Sequence, residues 1–207
     1  WHFSMGDVGY EAALSGEMIN IPHTWNAEDG QSGSEYYRGV CWYGREFDCP
    51  EMAQGDELWV EFRGVSASAA VWCNGKELAH HDGGYSTFRV NLTEELKERN
   101  VLAVCVDNGV NDRVYPQQAD FTFYGGIYRE VFLITVSQNH FLLDNDGAPG
   151  IYVTPVLDGK TAHVQVKAPC TGDGTVHVTL LDADGMIVGQ GTGTDVTIDL
   201  ENAHLWN

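Results

Sequence analysis

The chain has 207 residues, and 11 Lys+Arg against 30 Asp+Glu give a net charge of 11 − 30 = −19. A surface this acidic excludes nucleic acid and disfavours anionic membranes as partners, because both require a basic face. No apolar run approaches the ~20 residues of a membrane span, and 24 Gly with abundant Val, Thr and aromatic residues point to short strands and tight turns.

Residues 1–6 (WHFSMG) have a strand pattern with Trp1 and Phe3 on one face. In residues 19–26 (INIPHTWN), Pro22 forces Ile21 to be extended and Trp25 is a core anchor. Residues 27–35 (AEDGQSGSE) form a polar, turn-rich loop. A long strand is predicted over 36–47 (YYRGVCWYGREF). Leu58, Val60 and Phe62 alternate with Trp59, Glu61 and Arg63. Asn74-Gly75, set between two extended runs, predicts a type I′ hairpin turn. Phe88, Val90 and Leu92 alternate again, and Thr93 is the expected N-cap of one helical turn that places Glu94 and Glu95 at its start. Residues 101–106 are apolar on both faces and predict a central strand. Residues 108–119 (NGVNDRVYPQQA) have no period, and a loop of this length is uncommon in a compact domain unless it serves function.

This first domain is expected to span 1–138. A linker over 139–150 contains the turn chemistry Asp144-Asn145-Asp146-Gly147-Ala148-Pro149. Five short strands follow at 151–157, 162–168, 175–181, 186–190 and 196–200, with Asp184-Gly185 marking a hairpin. Their spacing suggests an immunoglobulin-like sandwich, which needs about seven strands and ~100 residues. Residues 151–207 fall short of that, so this second domain is expected to be partial and the chain a fragment. The fold class is therefore all-β: a jelly-roll sandwich followed by a partial immunoglobulin-like one.

Five cysteines, Cys41, Cys49, Cys73, Cys105 and Cys170, are odd in number and form no Cys-x-x-Cys pair. A disulfide framework is not expected, and a reducing, cytoplasmic setting is favoured. No signal peptide is visible, and an opening at Trp1 inside a strand pattern suggests a trimmed start.

Residues 120–131 (DFTFYGGIYREV) join the irregular loop to an apolar strand, and Gly125-Gly126 at the junction permit close backbone approach. This stretch resembles the signature of glycoside hydrolase family 2, which includes β-galactosidases and β-glucuronidases. Pro22-His23-Thr24-Trp25, Trp42-Tyr43-x-Arg45-x-Phe47, Asn74-Gly75 and Gly83-Gly84-Tyr85 extend the resemblance over most of the chain. The resemblance implies an N-terminal sugar-binding domain. Asp120, six residues before Gly126, would hydrogen-bond sugar hydroxyls in the active site of a separate catalytic barrel. The family's loop corresponding to Tyr36-Tyr37-Arg38 approaches that pocket, which makes Tyr37 a candidate contact.

The family's two catalytic glutamates lie on the barrel, and this chain lacks the alternating βαβ pattern of one. The chain alone is therefore expected to be inactive. The implied partners are a terminal β-galactoside or β-glucuronide and the barrel of the same parent; a homo-oligomer is compatible with this. The form of the motif leans towards β-galactosidase. The chain itself requires no cofactor and offers no metal site; Na⁺ or Mg²⁺ would belong to the parent enzyme. A free-standing carbohydrate-binding module or a purely structural sandwich remains a rival, since fold does not fix function.

Other residues that attract notice have blander readings. Trp42, Trp59 and Trp72 could stack on sugars, but large aromatics more often fill cores. His80 and His81 point to opposite faces of a strand and cannot chelate one ion together. His23 and the Glu94-Glu95 pair have ordinary core and surface roles. Arg129 is expected to pair with a local carboxylate or carbonyl beside the sheet.

Overall fold

A computed structural model describes residues 1–29, 35–117, 119, 122–145 and 147–205. The chain divides into two compact units, Trp1–Val136 and Ser137–Asn207. Both are all-β sandwiches, as the alternation predicts.

The first unit carries β1 (His2–Met5), β2 (Glu17–Met18), β3 (Val40–Asp48), β4 (Glu57–Phe62), β5 (Val65–Ser66), β6 (Ser68–Cys73), β7 (Lys76–Asp82), β8 (Phe88–Asn91), β9 (Arg99–Asp107), β10 (Gly126–Ile127) and β11 (Val131–Val136). One antiparallel sheet has the order β2-β1-β3-β9-β6-β7, a second β11-β4-β8, and β5 pairs with β10. Side chains alternate across a strand, so every second residue faces the other sheet. Cys41 and Tyr43 of β3, Val71 of β6 and Leu102, Val104 and Val106 of β9 thus meet Leu58, Val60 and Phe62 of β4 and Phe88 and Val90 of β8 in one core.

The central strand β9 is apolar on both faces because both are covered. Its reverse face, Ala103 and Cys105, packs against Trp42, Trp72, Tyr10 and Ala13. The second face of β4 is covered too: Trp59 is 8% and Glu61 7% exposed. Glu61 accepts from Arg89 Nε at 2.8 Å and from Arg63 Nε at 3.2 Å. Burial pushes its carboxyl up, but the bonds and charges of Arg89 and Arg63 outweigh that and hold it below its ordinary value. The three tryptophans thus serve packing, with Trp42 Nε1 donating to Asp7 Oδ1 at 2.9 Å and Trp59 Nε1 to Glu57 Oε2 at 2.8 Å.

The Asn74-Gly75 turn has φ of 52° and 92°, and Cys73 pairs directly with Lys76. That is the type I′ geometry that matches strand twist. The helical turn is found as a 3₁₀ turn over Thr93–Glu95, with Leu92 at the N-cap position. Thr93 does not cap it. Its Oγ1 instead accepts the Leu58 N–H at 3.0 Å, a tertiary bond that outcompetes the local one.

The cysteines are free. Burial pushes the Cys41 and Cys73 thiols up to about 11 and Cys105 up to about 12, so these three remain unreactive thiols at neutral pH.

In the second unit, β12 (Tyr152–Asp158), β13 (Thr161–Lys167) and β16 (Asp195–Leu200) form one sheet, in the order β12-β13-β16. A hairpin of β14 (His177–Leu181) and β15 (Ile187–Thr192) forms another. Ala162, Val164 and Val166 make its small core with Val178, Leu180 and Leu200. Asp182 Oδ1 accepts the N–H groups of Asp184 and Met186 at 3.0 and 2.8 Å, closing the expected hairpin around Gly185. The stretch before Tyr152 is tied to this unit, since Leu142 N–H donates to the Pro169 carbonyl at 3.1 Å.

Candidate functional site

The segment from His23 to Asn26 lies beside the one from Phe123 to Ile127, and the chemistry of the region follows from that pairing. His23 N–H donates to Ile127 O at 2.8 Å and Trp25 N–H to Gly125 O at 3.3 Å. Asn26, fully buried, fastens the other end. Its Nδ2 donates to Phe123 O at 3.2 Å and its Oδ1 accepts Gly125 N–H at 2.9 Å. The paired glycines are needed because the segments approach so closely. A Cβ on Gly125 would lie 2.2 Å from the Trp25 ring, and one on Gly126 (φ +129°) 2.5 Å from the His23 carbonyl oxygen.

Beneath this pairing, His23 Nδ1 bonds the buried Tyr43 hydroxyl at 2.9 Å. Burial lowers the His23 pKa, with Glu17 opposing weakly, so the ring is neutral at pH 7. Burial raises that of Tyr43, so the phenol keeps its proton.

The irregular loop after β9 is knitted by its own side chains. Asn111 Oδ1 accepts the N–H groups of Arg113 and Val114, each at 2.9 Å. Gln117 Oε1 accepts Asn111 N–H at 3.0 Å and its Nε2 donates to Val114 O at 2.7 Å. Arg113 Nε ties the loop to Asp82 of β7 at 2.9 Å. Arg38 staples both ends: Nε donates to Asn108 O at 2.9 Å and Nη1 to Gln117 O at 3.0 Å. Gly39 N–H adds a bond to Asn108 Oδ1 at 2.8 Å.

These clamps leave an open polar cleft of about 560 Å³, lined by Asp29, Tyr36, Arg38, Gln117, Thr122 and Phe123. The Tyr36 hydroxyl donates to Phe123 O, and burial raises its pKa. The Tyr36 and Thr122 hydroxyls and the Arg38 guanidinium stand beside the Asp29 carboxylate. Such a set suits polyol hydrogen bonding, in which each hydroxyl both donates and accepts.

The match to known proteins agrees with this chemistry. The family model for glycosyl hydrolases family 2, sugar binding domain, covers residues 9–137. The chain belongs to that family. It is 34% identical to a β-glucuronidase of Bacteroides fragilis over 81% of this chain and 25% of that protein. It is 32% identical to a β-galactosidase of Bacteroides ovatus over 92% of this chain and 24% of that protein. The solved Bacteroides uniformis β-glucuronidase superposes with a TM-score of 0.84 at 27% identity, covering 100% of this chain and 27% of that one. The chain thus spans about a quarter of the length of these relatives.

Within this family 2 sugar-binding domain, Asp120 itself lies outside the described residues. Its neighbours Ala119 and Thr122 both line the cleft. Tyr37 turns towards the core: its ring packs there and its hydroxyl donates to Val40 O at 3.0 Å. Tyr36 is the tyrosine that lines the cleft. Counting by two from the buried Tyr43 and Cys41 of β3, and on past its start at Val40, reaches Tyr37, so residue parity carried that signal. Nothing local announced the reach of Arg38 or Asn26.

Arg129 Nη1 donates to the carbonyls of Arg63 at 3.2 Å and Tyr85 at 3.1 Å. His81 stacks on Phe88 at 4.2 Å. Glu95 pairs with Lys76 on the surface. Among the described residues no three His, Cys, Asp or Glu side chains converge where a metal ion could sit.

Proposed function

We propose that this chain is the sugar-binding part of a β-glycosidase that cleaves terminal β-galactosides or β-glucuronides. Its cleft would form one wall of a pocket completed by a catalytic barrel in the same protein. The observation that carries the reading is that both described neighbours of Asp120 line an open polar cleft. Asp120 would accept hydrogen bonds from vicinal sugar hydroxyls. A carboxylate suits this because it is acceptor-only and charge-assisted bonds are roughly twice as strong as neutral ones. The contribution is orientation and transition-state binding, while proton transfer falls to the barrel. Relatives named β-glucuronidase and β-galactosidase support both sugar classes.

The test is Asp120→Asn in the protein that joins this chain to its barrel, assayed with aryl β-galactoside and β-glucuronide. Loss of one charged hydrogen bond, about 1.5–3 kcal/mol, predicts a fall of about 10- to 150-fold in kcat/KM. An unchanged value removes Asp120 from the site. The isolated chain should hydrolyse neither substrate and bind monosaccharides more weakly than millimolar. Micromolar binding by the chain alone would instead favour a free-standing carbohydrate-binding module.

A further inference from the structure

We propose that Arg38 is a specificity-determining residue, whose guanidinium is pinned along one side to the loop and offers its remaining N–H groups to the cleft as a seat for a sugar carboxylate. This rests on the reading of the cleft as the sugar site. Arginine has five N–H donors and no acceptor. The bonds to Asn108 O and Gln117 O use two of them, and 5 − 2 = 3 remain without a protein partner among the described residues. Both acceptors are neutral carbonyls, so among the described residues no carboxylate pairs with the positive charge. Asp29, the other charged side chain lining the cleft among the described residues, directs Oδ2 to Tyr37 N–H at 2.8 Å and makes no ion pair with Arg38.

A cation with no ion-pair partner among the described residues, beside an open cleft in a chain of net charge −19, favours an anionic group on the ligand. The planar fork of a guanidinium matches a carboxylate in a bidentate way that ammonium cannot. Its orientation is already fixed by two bonds, so little rotamer freedom is lost on binding. A hexuronide would pair this charge through its C6 carboxylate, while the Tyr36 hydroxyl oxygen, whose proton goes to Phe123 O, and the Thr122 hydroxyl would meet the ring hydroxyls. A neutral hexoside would occupy the same cleft with the guanidinium unanswered. Specificity is that difference between the two affinities.

The experiment compares kcat/KM for aryl β-glucuronide and aryl β-galactoside in the barrel-containing protein, its Arg38→Gln and its Arg38→Lys. The expected result is that Arg38→Gln lowers the glucuronide-to-galactoside ratio by about 30-fold, the scale of one charged hydrogen bond. Arg38→Lys, which keeps the charge without the fork, should fall between. An equal loss on both substrates would limit Arg38 to holding the loop and overturn the proposal, while leaving the sugar-site reading intact. A wild type that prefers the galactoside overturns it as well. A changed ratio with an unaffected Asp120→Asn variant would sustain Arg38 and sink the role given to Asp120. Thermal midpoints accompany each variant; if Arg38→Gln does not fold, the ratio in Arg38→Lys decides.

Discussion

Replacing Gly126 by alanine tests whether the pairing of residues 23–26 with 123–127 holds the site together. Two costs are separable. The residue has φ +129°, a conformation L side chains rarely adopt, and positive φ costs roughly 1–2 kcal/mol. The new Cβ would also lie 2.5 Å from His23 O and 2.7 Å from the Tyr43 hydroxyl. Neither can retreat cheaply: one is backbone bracketed by the His23 N–H to Ile127 O bond, the other a buried phenol bonded to His23. Overpacking of this kind costs about 1–3 kcal/mol. Alanine stiffens the unfolded chain and returns about 0.4–1 kcal/mol, which leaves a net loss of about 1–4.5 kcal/mol.

Gly6 is the internal control, with φ +86° but nothing within 4 Å of an added Cβ. Its alanine variant should lose at most about 1.5 kcal/mol, the backbone cost less the unfolded-state return. Urea unfolding followed by tryptophan fluorescence is the assay, because Trp1, Trp25, Trp42, Trp59 and Trp72, five of the six tryptophans, belong to the first unit. With an m-value of about 2 kcal/mol/M, the two midpoints should differ by roughly 1 M. Coinciding midpoints for Gly126→Ala and Gly6→Ala would refute the close-approach argument.

The remaining expectations concern the same neighbourhood. Asn26→Ala leaves the Gly125 N–H buried without its partner, and stability should drop by about 2–3 kcal/mol; a loss under about 0.5 kcal/mol, the level of an ordinary surface substitution, would mean that solvent replaces the side chain. For His23 the folded-state pKa is depressed by burial, so the unfolded chain takes up the proton first. Its contribution is present near pH 7.5 and is lost as pH falls through the ordinary histidine value of about 6.5 towards the folded value. Wild type should therefore lose more stability between pH 7.5 and 5.5 than His23→Gln does; identical pH dependence would count against a buried neutral ring.

Several features were legible because they depend on neighbours in sequence. The alternation of Leu58, Val60 and Phe62 gave β4, the double-sided run through residues 101–106 gave the central β9, and Asn74-Gly75 gave its turn, since side-chain period and turn φ are local properties. Thr93 shows where local logic fails: a plausible helix cap was claimed by Leu58, 35 residues away. The loop after β9 looked irregular because its order comes from side chains bonding backbone, as at Asn111 and Gln117, and such bonds leave no periodic trace.

By itself, then, the sequence determined an all-β chain, its strand pattern, and membership of the family 2 sugar-binding domains through the Gly-Gly-Ile-Tyr-Arg stretch. Only the tertiary structure decided that Tyr36 rather than Tyr37 lines the cleft, that Asn26 fastens residues 97 and 99 positions away, and that Arg38 bridges Asn108 and Gln117. The physical reason is that these contacts join segments remote in sequence, and their geometry exists only once the sheets have packed and brought those segments together.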